Sequence, residues 1–148
     1  MICEKAMSKL KILIADDEEE VLDIMAKKIV SQGYTVVKAK DGEEAWEKIQ
    51  STVPDMVLLD LNMPKLNGFE VLKALRSRPP SDKWQPVIII SARGELEDIQ
   101  KGLSLDAEHY ITKPCTIDDI LKGIKLMAKL IPHHMTPGEI NDDPTSTT

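Results

Sequence analysis

Short apolar runs alternate with amphipathic segments along this chain, and that alternation restricts its fold more than any other feature. The run Lys11-Ile12-Leu13-Ile14-Ala15 ends on Asp16-Asp17. Residues 18–32 then place Val21, Leu22, Met25 and Ile29 on one helical stripe, with Gly33 where a helix C-cap residue belongs. Residues 34–39 form a second strand, and Asp41-Gly42 turns into a helix carrying Ala45, Trp46 and Ile49. A third strand, Met56-Val57-Leu58-Leu59-Asp60, breaks into a loop punctuated by Pro64 and Gly68. Phe69, Val71, Leu72 and Leu75 predict a short helix, and the proline-rich stretch 77–86 predicts a loop. Val87-Ile88-Ile89-Ile90 is a fourth strand ending on Ser91-Ala92. Leu96, Ile99, Leu103 and Leu105 mark a helix of weaker pattern. His109-Tyr110-Ile111-Thr112 is a brief fifth strand running into Lys113-Pro114. The last helix is the clearest, with Ile117, Ile120, Leu121, Ile124, Met127, Ala128 and Ile131 at 3.6-residue spacing. Strands this apolar, each followed by a helix, predict an α/β domain: a parallel sheet covered on both faces.

The chain's 148 residues suffice for one domain with a core that needs no metal or disulfide staple. Aromatics make up only 3%, so the core must come from aliphatic side chains and Met. A net charge of −6 argues against nucleic-acid binding, which needs a basic footprint. Cys3 and Cys115 match no metal-ligand spacing, and we take them as reduced thiols. With no secretory signal and no span of membrane length, the expected location is the cytoplasm. Residues 1–9 are expected to be an N-terminal extension, 10–131 the folded domain and 132–148 a disordered tail. That tail has three prolines and no Lys or Arg. His133-His134 lies within it without other clustered ligands, and such pairs are more often solvated than metal-bound.

In an open parallel sheet, ligands bind beyond the carboxyl ends of the strands. The residues expected there are Asp16, Asp17, Asp60, Ser91 and Lys113. Asp60 draws attention first: the sheet fixes its backbone while its carboxylate faces the loop crevice, a suitable position for a nucleophile. Three neighbouring carboxylates would repel by about 3–4 kcal/mol per close pair at an effective dielectric near 20. A divalent cation relieves that, and an all-oxygen acidic site suits Mg²⁺.

In order, Asp16-Asp17, Asp60-Leu61-Asn62-Met63-Pro64 with Gly68, Ser91-Ala92 and Lys113-Pro114 resemble the motifs of a response-regulator receiver domain of two-component signalling. The match runs from about Leu10 to Ile131. The resemblance implies a flavodoxin-like doubly wound five-stranded sheet in the order 2-1-3-4-5. Asp60 would be the phosphoacceptor, with Mg²⁺ held directly by Asp17, Asp60 and the Asn62 backbone carbonyl, and by Asp16 mostly through water. Lys113 and Ser91 would each contact a phosphoryl oxygen, and the Lys113–Pro114 bond would be cis. Ser91 and Tyr110 would act as the switch that remodels the face of the fourth helix, fifth strand and last helix. The phosphodonor would be a sensor histidine kinase or a histidine phosphotransfer protein. A downstream effector would bind the switched face, with Lys101, His109 and Lys122 as candidate contacts. No nucleic acid, membrane or output domain is expected, which makes this a stand-alone phosphoacceptor and not an enzyme.

Each motif residue also has a plain structural alternative. Asp16 or Asp17 could cap a helix, Ser91 could be a turn residue, Lys113 a solvated charge, and Tyr110 a half-buried ring. Their coincidence at one sheet edge weighs against that set. Three positions depart from the family pattern: Cys115 where Phe is common, Asp106 where Gly is common, and Arg93 close to the phosphoryl site. Among competing functions, a haloacid-dehalogenase-like phosphatase needs a second Asp two positions after its nucleophile, and Asn62 stands there. A flavodoxin-type or dinucleotide-binding module needs a Gly-rich loop after the first strand, which here is Asp16-Asp17-Glu18. A pseudo-receiver interaction module would be expected to lack one of the key residues, and all are present.

Overall fold

A computed structural model describes residues 10–92 and 107–131. Predictions that fall on Arg93, Asp106, Lys101, the helix over 96–105, Cys3, His133-His134 and the two terminal segments lie outside the described residues. Within them the order is β1 (Lys11–Ala15), α1 (Glu19–Ser31), β2 (Thr35–Ala39), α2 (Gly42–Thr52), β3 (Met56–Asp60), α3 (Gly68–Ser77), β4 (Val87–Ala92), β5 (His109–Lys113) and α4 (Ile117–Leu130). The strands form one five-stranded sheet in the order β2-β1-β3-β4-β5, and every pairing is parallel. This is the order expected from the sequence resemblance.

Because side chains alternate across a strand, consecutive apolar residues feed two cores. Ile12, Ile14, Leu58, Ile88 and Ile90 point to one face and meet Leu22, Met25 and Ile29 of α1 and Ile120, Ile124 and Met127 of α4. Leu13, Val57, Leu59, Val87 and Ile89 point to the other and meet Ala45 and Ile49 of α2 and Val71, Leu72 and Leu75 of α3. Among the described residues every buried hydrophobic side chain is aliphatic or Met, as the scarcity of aromatics required.

The central strands β1 and β3 run apolar almost end to end, whereas the outer β2 is only partly buried. Helix starts are fixed locally. Asp41 caps α2 through the Glu44 amide, while Asn67 and Thr116 form reciprocal capping boxes with Glu70 and Asp119. At the end of α1, Gly33 takes φ 98°, a left-handed conformation that suits glycine.

The loop between β3 and α3 folds tightly back on the strand end. The Gly68 amide donates to the Leu61 carbonyl at 2.9 Å, and a Cβ at Gly68 would lie 2.5 Å from the Asp60 carbonyl oxygen. Only a residue without a side chain fits there unless the loop moves. Gly68→Ala is expected to destabilise the protein by roughly 1–3 kcal/mol. Denaturant unfolding monitored by circular dichroism measures this, and an unchanged midpoint would contradict the close approach.

Candidate functional site

The sheet order places β1 and β3 side by side with their connections leaving in opposite directions, so a crevice opens at their carboxyl ends. Asp60 is the last residue of β3, and Asp16 directly follows β1, whose Ala15 pairs with Leu59. Pairing of Asp60 with Ile90, and of Ser91 and Ala92 with Thr112 and Lys113, brings the ends of β4 and β5 to the same edge. The residues predicted to carry the chemistry therefore share one sheet edge.

Asp60 is 5% exposed, and both of its carboxylate oxygens are engaged. The Asn62 amide donates to Oδ1 at 3.0 Å, and Lys113 Nζ donates to Oδ2 at 2.7 Å. Lys113 is thus an ion-pair partner and not a solvated charge. Burial works against its ammonium, but the hydrogen bond to Asp60 and the charges of Asp60, Asp16 and Glu18 outweigh that and raise its pKa. The Lys113–Pro114 peptide is cis.

Asp16 is buried and does not cap α1. That cap position belongs to Glu18, which makes no side-chain cap bond. Instead the Glu18 amide donates to Asp16 Oδ1 at 2.9 Å, and the Asp16 amide donates to the Ala39 carbonyl at 3.1 Å. Asp17 is exposed. One oxygen from each of Asp16, Asp17 and Asp60 can be chosen so that all lie within 4.8 Å of one another.

Burying a carboxyl beside other carboxylates raises its affinity for a proton. Burial, with the nearby charges of Asp60 and Asp17, pushes the Asp16 carboxyl up to about 6, although the Glu18 amide and Lys113 pull the other way. A hard donor set of carboxylate oxygens, buried on two sides and open on the third, fits a small divalent cation such as Mg²⁺.

Ser91 is 1% exposed and lies inside β4, so it is a strand residue and not a turn residue. Tyr110 is half-buried and packs against the α2–α3 side of the core. Its register partner is Ile89, three residues before the β4 end at Ala92. Cys115 is a half-buried free thiol beside Pro114 whose pKa burial raises. His109 is half-buried and Lys122 exposed. Two features could not be read from residue order. The Asn62 amide is itself a donor to Asp60, and the Asp16 side chain turns back to the Glu18 amide. Asp-x-Glu and Asp-x-Asn spacings permit such two-residue bonds without requiring them.

A raised carboxyl pKa stabilises the folded state only while the proton is bound. That contribution is complete below the unfolded pKa near 3.8 and is lost as pH rises through about 6. In metal-free buffer, Asp16→Asn should therefore raise stability by roughly 1–3 kcal/mol at pH 7.5 and clearly less at pH 5. Thermal unfolding at the two pH values measures this. An equal effect at both would contradict the cost assigned to burying the Asp16 charge.

Comparison with known proteins agrees with this geometry. Residues 12–125 match the response regulator receiver domain. The chain is 36% identical over 119 residues to the alkaline phosphatase synthesis transcriptional regulatory protein PhoP of Bacillus subtilis, covering 80% of this chain and 48% of that protein. It is 36% identical over 138 residues to the transcriptional regulatory protein CpxR of Escherichia coli, covering 93% and 56%. The chain thus spans about half the length of the curated relatives it matches. Among solved structures, the receiver domain of Francisella response regulator 1452 superposes with a TM-score of 0.73 at 32% identity, covering 82% of this chain and 98% of that one. A chain of the CheX–CheY–BeF3–Mg²⁺ complex from Borrelia burgdorferi superposes with a TM-score of 0.70 at 29% identity, covering 80% and 88%. The chain belongs to the response regulator receiver domain family of two-component signalling proteins.

Proposed function

We propose that this chain is a response-regulator receiver in which Asp60 accepts a phosphoryl group, in a Mg²⁺-dependent reaction, from a sensor histidine kinase or histidine phosphotransfer protein. The observation that carries the proposal is the position of the Asp60 carboxylate. It is buried at the end of a central strand, 2.7 Å from a lysine ammonium and grouped with two further carboxylates. Those carboxylates and one ammonium leave the crevice with surplus negative charge. Mg²⁺, held by Asp16, Asp17, Asp60 and the Asn62 carbonyl, would neutralise that surplus and offset the charge of an incoming phosphoryl group.

Asp60 then acts as the nucleophile. Its Oδ1 is oriented by the Asn62 amide, and its Oδ2 is held by Lys113. As the phosphoryl group arrives, the Lys113 ammonium passes from Oδ2 to a phosphoryl oxygen, so positive charge is already in place where negative charge collects. Ser91, one strand over, donates its hydroxyl to a second phosphoryl oxygen. The switch assigned to Tyr110 is supported by its place on β5, the strand beside β4, two register positions from Thr112, the partner of Ser91. The remodelled face would include β5 and α4 and would be read by a protein effector.

A net charge of −6 supports a protein and not a nucleic acid as that effector. Among the described residues no helix is long and apolar enough to cross a membrane, and we propose a cytoplasmic setting. The phosphatase reading lacks its acid–base residue, because the side chain two positions after Asp60 is the amide of Asn62.

Incubation with acetyl phosphate and Mg²⁺ should add one phosphoryl group by intact-protein mass spectrometry, and Asp60→Asn should abolish the adduct. An adduct that persists in Asp60→Asn would refute Asp60 as the acceptor.

A further inference from the structure

Beside the phosphoacceptor crevice, between α1 and the start of α4, lies a cleft of about 600 Å³. That volume falls within the range of about 300–1,000 Å³ typical of small-molecule sites. Its floor is Met25, Ile90 and Ile120, all buried. Its outer wall includes Val21 and Ile24, which are 37% and 64% exposed. Side chains of this kind do little for folding in that position, yet they lead directly into the most charged part of the molecule. The polar end of the cleft is Asp16 and Lys113, and Lys113 is bonded to Asp60. An apolar channel thus opens onto a nucleophile.

We propose that this cleft is the leaving-group site for a class of small phosphodonor, acyl phosphates carrying a straight aliphatic chain. The inference rests on the phosphoacceptor role of Asp60 and deepens it. The phosphoryl end, an anion, sits by Lys113 within reach of Asp60, while the alkyl chain lies along Ile24, Val21 and Met25. An Asp60 oxygen attacks phosphorus, and the bond from phosphorus to the acyl oxygen breaks with its electron pair. A fatty carboxylate leaves, so the step needs no further proton, oxidant or reductant.

The test compares acetyl, butyryl and hexanoyl phosphate as donors to the intact chain with Mg²⁺, following phosphoprotein by mass spectrometry. Burial of added methylenes in an open cleft should lower KM by about ten-fold from acetyl to hexanoyl phosphate. In the double variant Val21→Ser, Ile24→Ser that ratio should fall to within about two-fold. Val30→Ser, on the opposite flank of α1 and outside the cleft, should preserve it. Equal KM values for all donors, with the protein still phosphorylated, would overturn the inference, leave Asp60 as acceptor and assign the cleft to a protein partner. A ratio that persists in the double variant would also overturn it. Failure of every donor to phosphorylate the protein would overturn both this inference and the role of Asp60.

Discussion

The repulsion among Asp16, Asp17 and Asp60 is the constraint around which the rest of this structure is arranged. With their nearest oxygens within 4.8 Å of one another, two such charges repel by about 3–4 kcal/mol at an effective dielectric near 20. A flexible chain would relax that by moving apart. Here Asp16 and Asp60 cannot, because Asp60 is the last residue of a strand buried along its whole length and Asp16 directly follows another. Backbone amides at Glu18 and Asn62 hold two of them further, each by one hydrogen bond. Lys113 offsets part of the charge from a strand two places away from β3 in the sheet. The sheet, stabilised by two aliphatic cores, thus holds in place an electrostatic arrangement that is unfavourable until a cation or a new ligand arrives.

That division between scaffold and site explains what residue order could and could not reveal. β1 and β3 were legible to the residue because central parallel strands are buried on both faces and read as unbroken apolar runs. The first helix, read as residues 18–32, was legible to within one residue at each end, since it carries one apolar stripe and stops before Gly33. The converging residues at the carboxyl ends followed from topology alone. Side-chain geometry did not. No spacing rule states that Lys113 grips Oδ2 of Asp60, because that contact crosses 53 positions of sequence. Nor does composition reveal that Gly68 is pressed against the Asp60 carbonyl, or that burial raises the Asp16 carboxyl. These depend on packing density, which is a property of the assembled layers.

The two faces of the molecule also differ in a way the topology makes natural. α2 and α3 close over one side of the sheet, with Leu66 and Phe69 packed against that core. Between α1 and α4 the cover is less complete at the carboxyl edge, and Ile24 remains largely exposed there. Apolar surface left open beside a charged crevice gives a donor somewhere to place its non-reacting part, and binding energy gathered there can be used at the reacting centre. Chemistry and recognition therefore come from adjacent parts of one sheet edge: strand-end carboxylates for the first, the α1–α4 cleft for the second.

The claim that most of this depends on is that the three carboxylates form one divalent-cation site. Titration calorimetry of metal-free protein with Mg²⁺ at pH 7 tests it directly. The account predicts one Mg²⁺ bound per chain, with affinity reduced at least about ten-fold in Asp17→Asn. Absence of binding, or an affinity unchanged by Asp17→Asn, would contradict it.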